Sequence, residues 1–289
     1  MITRDGHNDD VELNESSVDE AEPEGDDPEG RRRRGIYLVP NLITTGALFA
    51  GFYAIVAGMN GNFVPAALAI FVAMALDTAD GRVARWTRTE SRFGAEYDSL
   101  SDMVAFGVAP ALVAFSWSLQ PLGKIGWMAT FVYMACAALR LARFNTRSSL
   151  QKFTGLASPS AAAVMACTVW IWSESHAGAE PSMAVAAFMA VLTTAIGLLM
   201  VSNFEYYSPK SLNAKGRVPF IFMVVAVLVF AVLLADPPRV LLVIFAAYAL
   251  SGPATWIWQR WRGQPAAGLS SDKEPDGDPD EEPPLDPRV

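Results

Sequence analysis

The sequence predicts an all-α integral membrane protein with about eight transmembrane helices. Composition is the first reason: 52% of the 289 residues are hydrophobic and only 18% are charged. The second is segmentation, because stretches of about 20 mostly apolar residues, the length that crosses a bilayer, recur with short breaks along the chain. The third is the placement of basic residues, which gather in alternate connections as cytoplasmic loops do.

The eight segments fall at roughly 38–58, 63–82, 97–117, 125–145, 158–174, 182–202, 218–235 and 239–258. Turn-forming clusters punctuate them: MNGN after the first, QPLGK after the third, ADPPR after the seventh. The fifth is short, and the eighth carries Ser251, Gly252 and Pro253 inside it. Small residues such as Gly46, Gly51, Ala66 and Ala73 permit close helix contact.

Arg31 to Arg34 precede the first segment, and Arg82, Arg85, Arg88 and Arg92 separate the second from the third. Arg140, Arg143, Arg147 and Lys152 follow the fourth, Lys210, Lys215 and Arg217 follow the sixth, and Arg260 and Arg262 follow the eighth. The other connections hold only Lys124 and Arg239. An even number of spans with both termini in the cytoplasm satisfies every basic loop at once. A multi-pass protein of the cell membrane is therefore expected, its 77–102 stretch facing the cytoplasm.

The formal charge of −8 misrepresents the apolar part. Residues 1–30 hold 12 Asp+Glu and residues 271–289 hold 8, leaving 10 in 31–270 against 19 Lys+Arg. A core of net +9 suits anionic lipids and phosphates. The chain divides into a disordered acidic tail over 1–30, a membrane domain over 31–262 and a second disordered tail over 263–289. Cys136 and Cys167 lie in apolar segments without metal-ligand spacing and are read as free thiols. His7 and His176 stand in tail and loop, which argues against histidine chemistry, and no cleaved signal peptide is expected.

The chemistry concentrates in DTADGRVARWTRTESRFGAEYDSLSD, Asp77 to Asp102. Asp77 and Asp80, three apart, share one face of the second helix; Asp98 and Asp102, four apart, share one face of the third. These carboxylates sit at the inner ends of apolar segments, where each needs a partner or a cation. Four on facing helices suit two hard divalent cations, Mg²⁺ or Mn²⁺. Gly81 and Gly94 leave backbone open to a phosphate, and Arg85 offers a bidentate fork to its oxygens.

The spacing D-x2-D-G-x2-A-R-x8-G-x3-D-x3-D, with Ala84 at its alanine, resembles the signature of the CDP-alcohol phosphotransferases, integral membrane enzymes of phospholipid synthesis. The resemblance implies a six-helix core over roughly 38–202 with two C-terminal helices added. It implies that Asp77, Asp80, Asp98 and Asp102 hold two metals, that Asp102 also acts as base, and that Gly81, Ala84, Arg85 and Gly94 cradle CDP. It also implies a homodimer.

Later runs resemble the phosphatidylserine synthase branch of that family: PNLIT from Pro40, SDMVAFGVAPA from Ser101, ALRLARFN ending at Asn145, FTGLASPSAAA from Phe153 and LMVSNFEYYSPK from Leu199. The implied substrates are CDP-diacylglycerol, or an archaeal CDP-ether lipid, and L-serine, within a lipid membrane and with no nucleic acid. Arg140 and Arg143, with Asn145 as polar partner, are candidates for the serine carboxylate, although positive-inside anchoring explains the arginines equally well. Asn41 and Thr44 are candidates for the nucleotide pocket, Asn41 equally for a helix-start cap. Glycerol 3-phosphate or inositol phosphate is the alternative acceptor. A cation transporter or channel is the alternative class, disfavoured because the aspartates lie at one face and not at the midplane; a scaffold would make the motif accidental.

Overall fold

A computed structural model describes residues 28–89, 91–146, 154–176, 179–204, 206 and 220–262. Both acidic tails fall outside them, apart from Pro28 to Gly30, which open the first helix. The described residues are almost wholly helical: α1 (Pro28–Met59), α2 (Phe63–Thr87), α3 (Arg92–Asp102), α4 (Ala109–Ala114), α5 (Lys124–Thr146), α6 (Ser158–Ser175), α7 (Met183–Val201), α8 (Phe220–Ala235) and α9 (Pro237–Trp261). Helix α3 runs without a break through π-helical turns at Met103–Val108 and Phe115–Leu119, with α4 between them, to a final 3₁₀ turn at Gln120–Leu122. Counted as continuous rods, these are the eight expected segments in order.

Among the described residues, six rods are long and apolar enough to cross a membrane. Helix α8, at 16 residues, is about 24 Å long at 1.5 Å per residue. Helix α6 is short for a different reason. Its Ala161, Ala162, Ala163, Met165, Ala166 and Cys167 are all buried, and it packs against α2 and α9. A rod surrounded by protein needs little lipid-facing apolar surface. Outward residues such as Phe49, Phe52, Trp127, Phe131, Phe188 and Val191 supply that surface elsewhere.

Backbones approach closely where side chains are small. A Cβ added to Gly51 would lie 2.8 Å from the Cα of Ala105, so α1 lies directly on the first π-helical turn. Ser101 extends this contact by donating to the Thr44 carbonyl at 3.2 Å. Both cysteines are buried and free, as expected.

The first π-helical turn has an identifiable cause. Pro110 has no N–H to give the Phe106 carbonyl four residues earlier, so the helix widens there. The Tyr133 hydroxyl of α5 donates to that carbonyl at 3.0 Å, and Tyr133 is fully buried. Tyr133→Phe should lower unfolding stability in detergent by about 1–3 kcal/mol, since it strands a buried acceptor; thermal denaturation of the purified protein checks this.

Three helix limits differ from the sequence reading. Helix α2 continues to Thr87 and α3 begins at Arg92, so the aspartates stand within helices, one to three turns from their ends. The arginines of this region extend the helix past the apolar stretch instead of forming a long loop. The reversal is made at Arg88, whose left-handed backbone (φ 53°) ends α2, and at Ser91, whose hydroxyl accepts from the Gly94 N–H at 3.0 Å. Helix α1 begins at Pro28, which places Asn41 mid-helix and removes the cap role considered for it.

Candidate active site

Asp77, Asp80, Gly81, Ala84 and Arg85 recur at spacings of three and four and form one stripe along α2. Gly94, Asp98 and Asp102 form a second along α3. The tight Arg88–Ser91 reversal turns the two stripes towards each other. One carboxylate oxygen from each of Asp77, Asp98 and Asp102 lies within 4.8 Å of the others. Like charges this close need a proton or a cation among them.

The donor set fits a hard divalent cation, which prefers carboxylate oxygen. Asp98 contributes a second sign: its Oδ1 is buried and has no hydrogen-bond partner among the described residues. An acceptor left bare in that way is costly unless an ion or water completes it.

Asp80 is placed differently from the other three. It is 4% exposed, and its Oδ2 accepts from the Thr44 hydroxyl of α1 at 2.7 Å, with the Pro40 carbonyl as that hydroxyl's other acceptor at 3.1 Å. Thr44 therefore orients a carboxylate; it does not reach out towards a nucleotide. Thr44→Val should reduce kcat/KM by about tenfold, the weight of a hydrogen bond to a charged group. Steady-state rates against the parent check this, and Thr44→Ser should recover most of the loss.

The residues expected to cradle CDP share these two helix stripes. The space over Gly81 is open, with only the Arg85 guanidinium within 4 Å of an added Cβ, and Arg85 Nε donates to the Gly81 carbonyl at 2.9 Å. A Cβ on Gly94 would meet Ser91 Oγ at 3.1 Å and Asn41 Oδ1 at 3.3 Å. Asn41 thus lies against Gly94, although its cap role is lost. Tyr97 and Thr45 share a hydroxyl contact of 2.9 Å that joins α3 to α1 beside it.

The three residues expected to receive an acceptor carboxylate separate into two kinds. Arg140 Nη1 donates to Ser158 Oγ at 2.7 Å, while its Nε is buried without a partner among the described residues. Asp102 lies within range of its charge. Arg143 is engaged structurally, with Nη2 on Thr154 Oγ1 at 2.6 Å and Nη1 on the Val201 carbonyl at 3.4 Å. Asn145 exchanges hydrogen bonds with Ser99, next to Asp98, at 3.1 and 3.3 Å. It braces α3 against α5. Ser99, Ser101, Thr154 and Ser158 were not singled out from sequence. Isolated hydroxyls in apolar helices carry no signal of their cross-helix partners.

The chain is similar to known proteins over most of its length. Residues 37–229 match the family model described as CDP-alcohol phosphatidyltransferase. A CDP-diacylglycerol–serine O-phosphatidyltransferase of Helicobacter pylori is 33% identical over 227 residues, covering 77% of this chain and 92% of that protein. One so named from Mycobacterium tuberculosis is 30% identical over 245 residues, with 82% and 84% covered. Another from Methanocaldococcus jannaschii is 31% identical over 224 residues, with 78% and 96% covered. With its eight-position signature folded around three converging carboxylates, the chain belongs to the CDP-alcohol phosphatidyltransferase family.

Proposed function

We propose that this protein transfers the phosphatidyl group of CDP-diacylglycerol, or of an archaeal CDP-ether lipid, to the hydroxyl of L-serine and releases CMP. The observation that carries the reading is the meeting of Asp77, Asp98 and Asp102 across two helices, beside an arginine with a buried, unpartnered N–H. The CDP-diacylglycerol–serine O-phosphatidyltransferases among its relatives support the choice of acceptor.

Asp77, Asp80, Asp98 and Asp102 would hold two divalent cations, Mg²⁺ or Mn²⁺. Bound there, they would supply positive charge to offset the negative charge of the pyrophosphate and of the leaving CMP. The open space over Gly81, beside Ala84, admits the nucleotide phosphates, Gly94 borders it together with Ser91 and Asn41, and the Arg85 fork pairs with those phosphates. Asp102 accepts the hydroxyl proton as the serine oxygen attacks the lipid-bearing phosphorus. The bond from that phosphorus to the CMP oxygen breaks, and CMP departs with the electron pair. Arg140 receives the serine carboxylate near Asp102; Arg143 and Asn145 hold the surrounding frame. Positioning and charge stabilisation supply most of the catalysis in such a displacement.

The catalytic unit spans 31–262, with the site on the cytoplasmic side and a homodimer as the working assembly. The tails contribute nothing to the chemistry. A chain lacking residues 1–27 should keep kcat/KM within about twofold of the parent, measured on the purified protein; a larger loss would assign the tail a part in the site. The function itself is tested with purified protein, CDP-diacylglycerol and Mg²⁺ or Mn²⁺. CMP release that requires serine supports it. Release driven better by glycerol 3-phosphate or inositol phosphate would replace the acceptor, and no release with any alcohol from folded protein would overturn the assignment.

A further inference from the structure

Two pins between α5 and the rod that begins with α3 fix the level at which Arg140 sits. At one, Ser99 and Asn145 exchange hydrogen bonds of 3.1 and 3.3 Å. At the other, a Cβ added to Gly107 would lie 3.2 Å from the Ala137 Cβ. Asp102 comes three residues after Ser99, and Arg140 three residues after Ala137, so both lie between the pins. At 1.5 Å per residue their backbones differ by only about 3 Å in depth. The guanidinium thus belongs to the level of the carboxylate cluster.

One contact sets how that guanidinium is turned. Its Nη1 donates to Ser158 Oγ at 2.7 Å, and Ser158 is 1% exposed. This bond takes one end of the group. It leaves the edge that carries Nε and Nη2, whose paired N–H groups match the two oxygens of a carboxylate. Nε on that edge is buried without a partner among the described residues, and a buried donor in that state calls for a ligand or water to complete it.

Ser158 itself has little freedom. It opens α6 and precedes Pro159, whose ring restricts the backbone of the residue before it. Just upstream, the N–H groups of Gly155 and Leu156 donate to the Phe204 and Leu199 carbonyls at 2.9 and 3.0 Å. Gly155 makes this close fit possible: its φ is +85°, and a Cβ there would lie 2.3 Å from the Met200 carbonyl oxygen. The strap after α7 that accepts these bonds is seated in turn on α9. There the Tyr206 hydroxyl donates at 3.1 Å to the Ala249 carbonyl, which Pro253 leaves without its helical donor.

We propose that Ser158 is a positioning residue for acceptor selection: its hydroxyl, fixed at the start of α6 by the Gly155–Leu156 strap contacts, holds Nη1 of Arg140 so that the Nε–Nη2 edge is presented to the acceptor's carboxylate. This rests on the reading of Arg140 given above. It assigns to α6, which carries none of the signature residues, a part in choosing the alcohol.

The test uses the full chain in nanodiscs with saturating Mn²⁺, measuring CMP release while serine and CDP-diacylglycerol are varied in turn. Ser158→Ala should raise KM for serine by about three- to tenfold, the effect of losing one hydrogen bond to a charged group. KM for CDP-diacylglycerol should stay within about twofold, a split that general loosening of the fold would not produce. Ser158→Cys fills nearly the same space with a poor acceptor; it should give the same split, and it keeps the test valid if Ser158→Ala fails to fold. Placed in an Arg140→Ala background, either change should add less than about twofold to serine KM, because a residue acting through Arg140 has nothing left to position. An unchanged serine KM in the single variants, equal rises for both substrates, or a full further rise in the Arg140→Ala background overturns the role of Ser158. Arg140→Ala alone separates the two layers. If it raises serine KM while the Ser158 variants do not, only Ser158 is excluded; if it too leaves serine KM unchanged, the carboxylate site itself fails.

Discussion

Asp102→Asn is expected to slow serine-dependent CMP release by about a thousandfold or more, within the range by which a positioned general base accelerates such steps. The replacement keeps the size and most of the polarity of the side chain but cannot take the hydroxyl proton. It also removes one of three clustered carboxylates, so a weaker cation site would slow the reaction too. The two causes are separable. Raising Mn²⁺ restores turnover if only cation affinity has fallen, and does nothing if the base is gone. Asp98→Asn is the reference for the first case and should recover substantially at high Mn²⁺. CDP-lipid binding, followed by equilibrium competition, should persist in Asp102→Asn at saturating cation. Retained turnover in Asp102→Asn would remove the base assignment.

Removing divalent cations should have a comparable effect. Chelation is expected to reduce turnover to background, with recovery on adding Mg²⁺ or Mn²⁺. Stability should follow, in a direction that electrostatics fixes. Without cations the clustered acids repel one another or must be protonated at a cost. With cations the folded state gains binding energy that the unfolded chain lacks. The melting temperature in detergent should therefore rise with Mg²⁺ or Mn²⁺ over a concentration range that tracks activity. In Asp98→Asn the metal-free protein should melt higher than the metal-free parent, and the cation-induced rise should shrink. A melting temperature indifferent to cations in the parent would argue against a metal centre built from these residues.

Much of this was legible in the sequence, for reasons that differ from residue to residue. The rods are legible because a bilayer imposes length and apolarity on each of them. The faces carrying Asp77 and Asp80, and Asp98 and Asp102, follow from helical period alone. Helix limits were less legible, because Arg82, Arg85 and Arg88 read equally as loop or as a helix continuing past the apolar stretch, and the left-handed Arg88 has no sequence signature. The division of labour among the acids was not legible either. Asp80 differs from the other three in that Thr44, 36 residues earlier, donates to its Oδ2, and hydropathy contains no trace of that pairing. Arg140 and Arg143 look alike in sequence, one helical turn apart. Only the cross-helix partners Ser158, Thr154 and Val201 tell them apart.

Pro110 and Pro253 occupy corresponding predicaments in distant helices. Each deprives a carbonyl of its usual donor, and each time a tyrosine from another segment makes good the deficit. Within hydrocarbon no solvent can stand in for a missing donor. Drift at one member of either pair thus exposes the other: a lost phenol leaves bare oxygen in oil, and a lost imino acid lets the backbone evict its visitor. Positions 110 and 133, and likewise 253 and 206, should tolerate replacement jointly far better than singly, so each couple behaves as a single heritable unit.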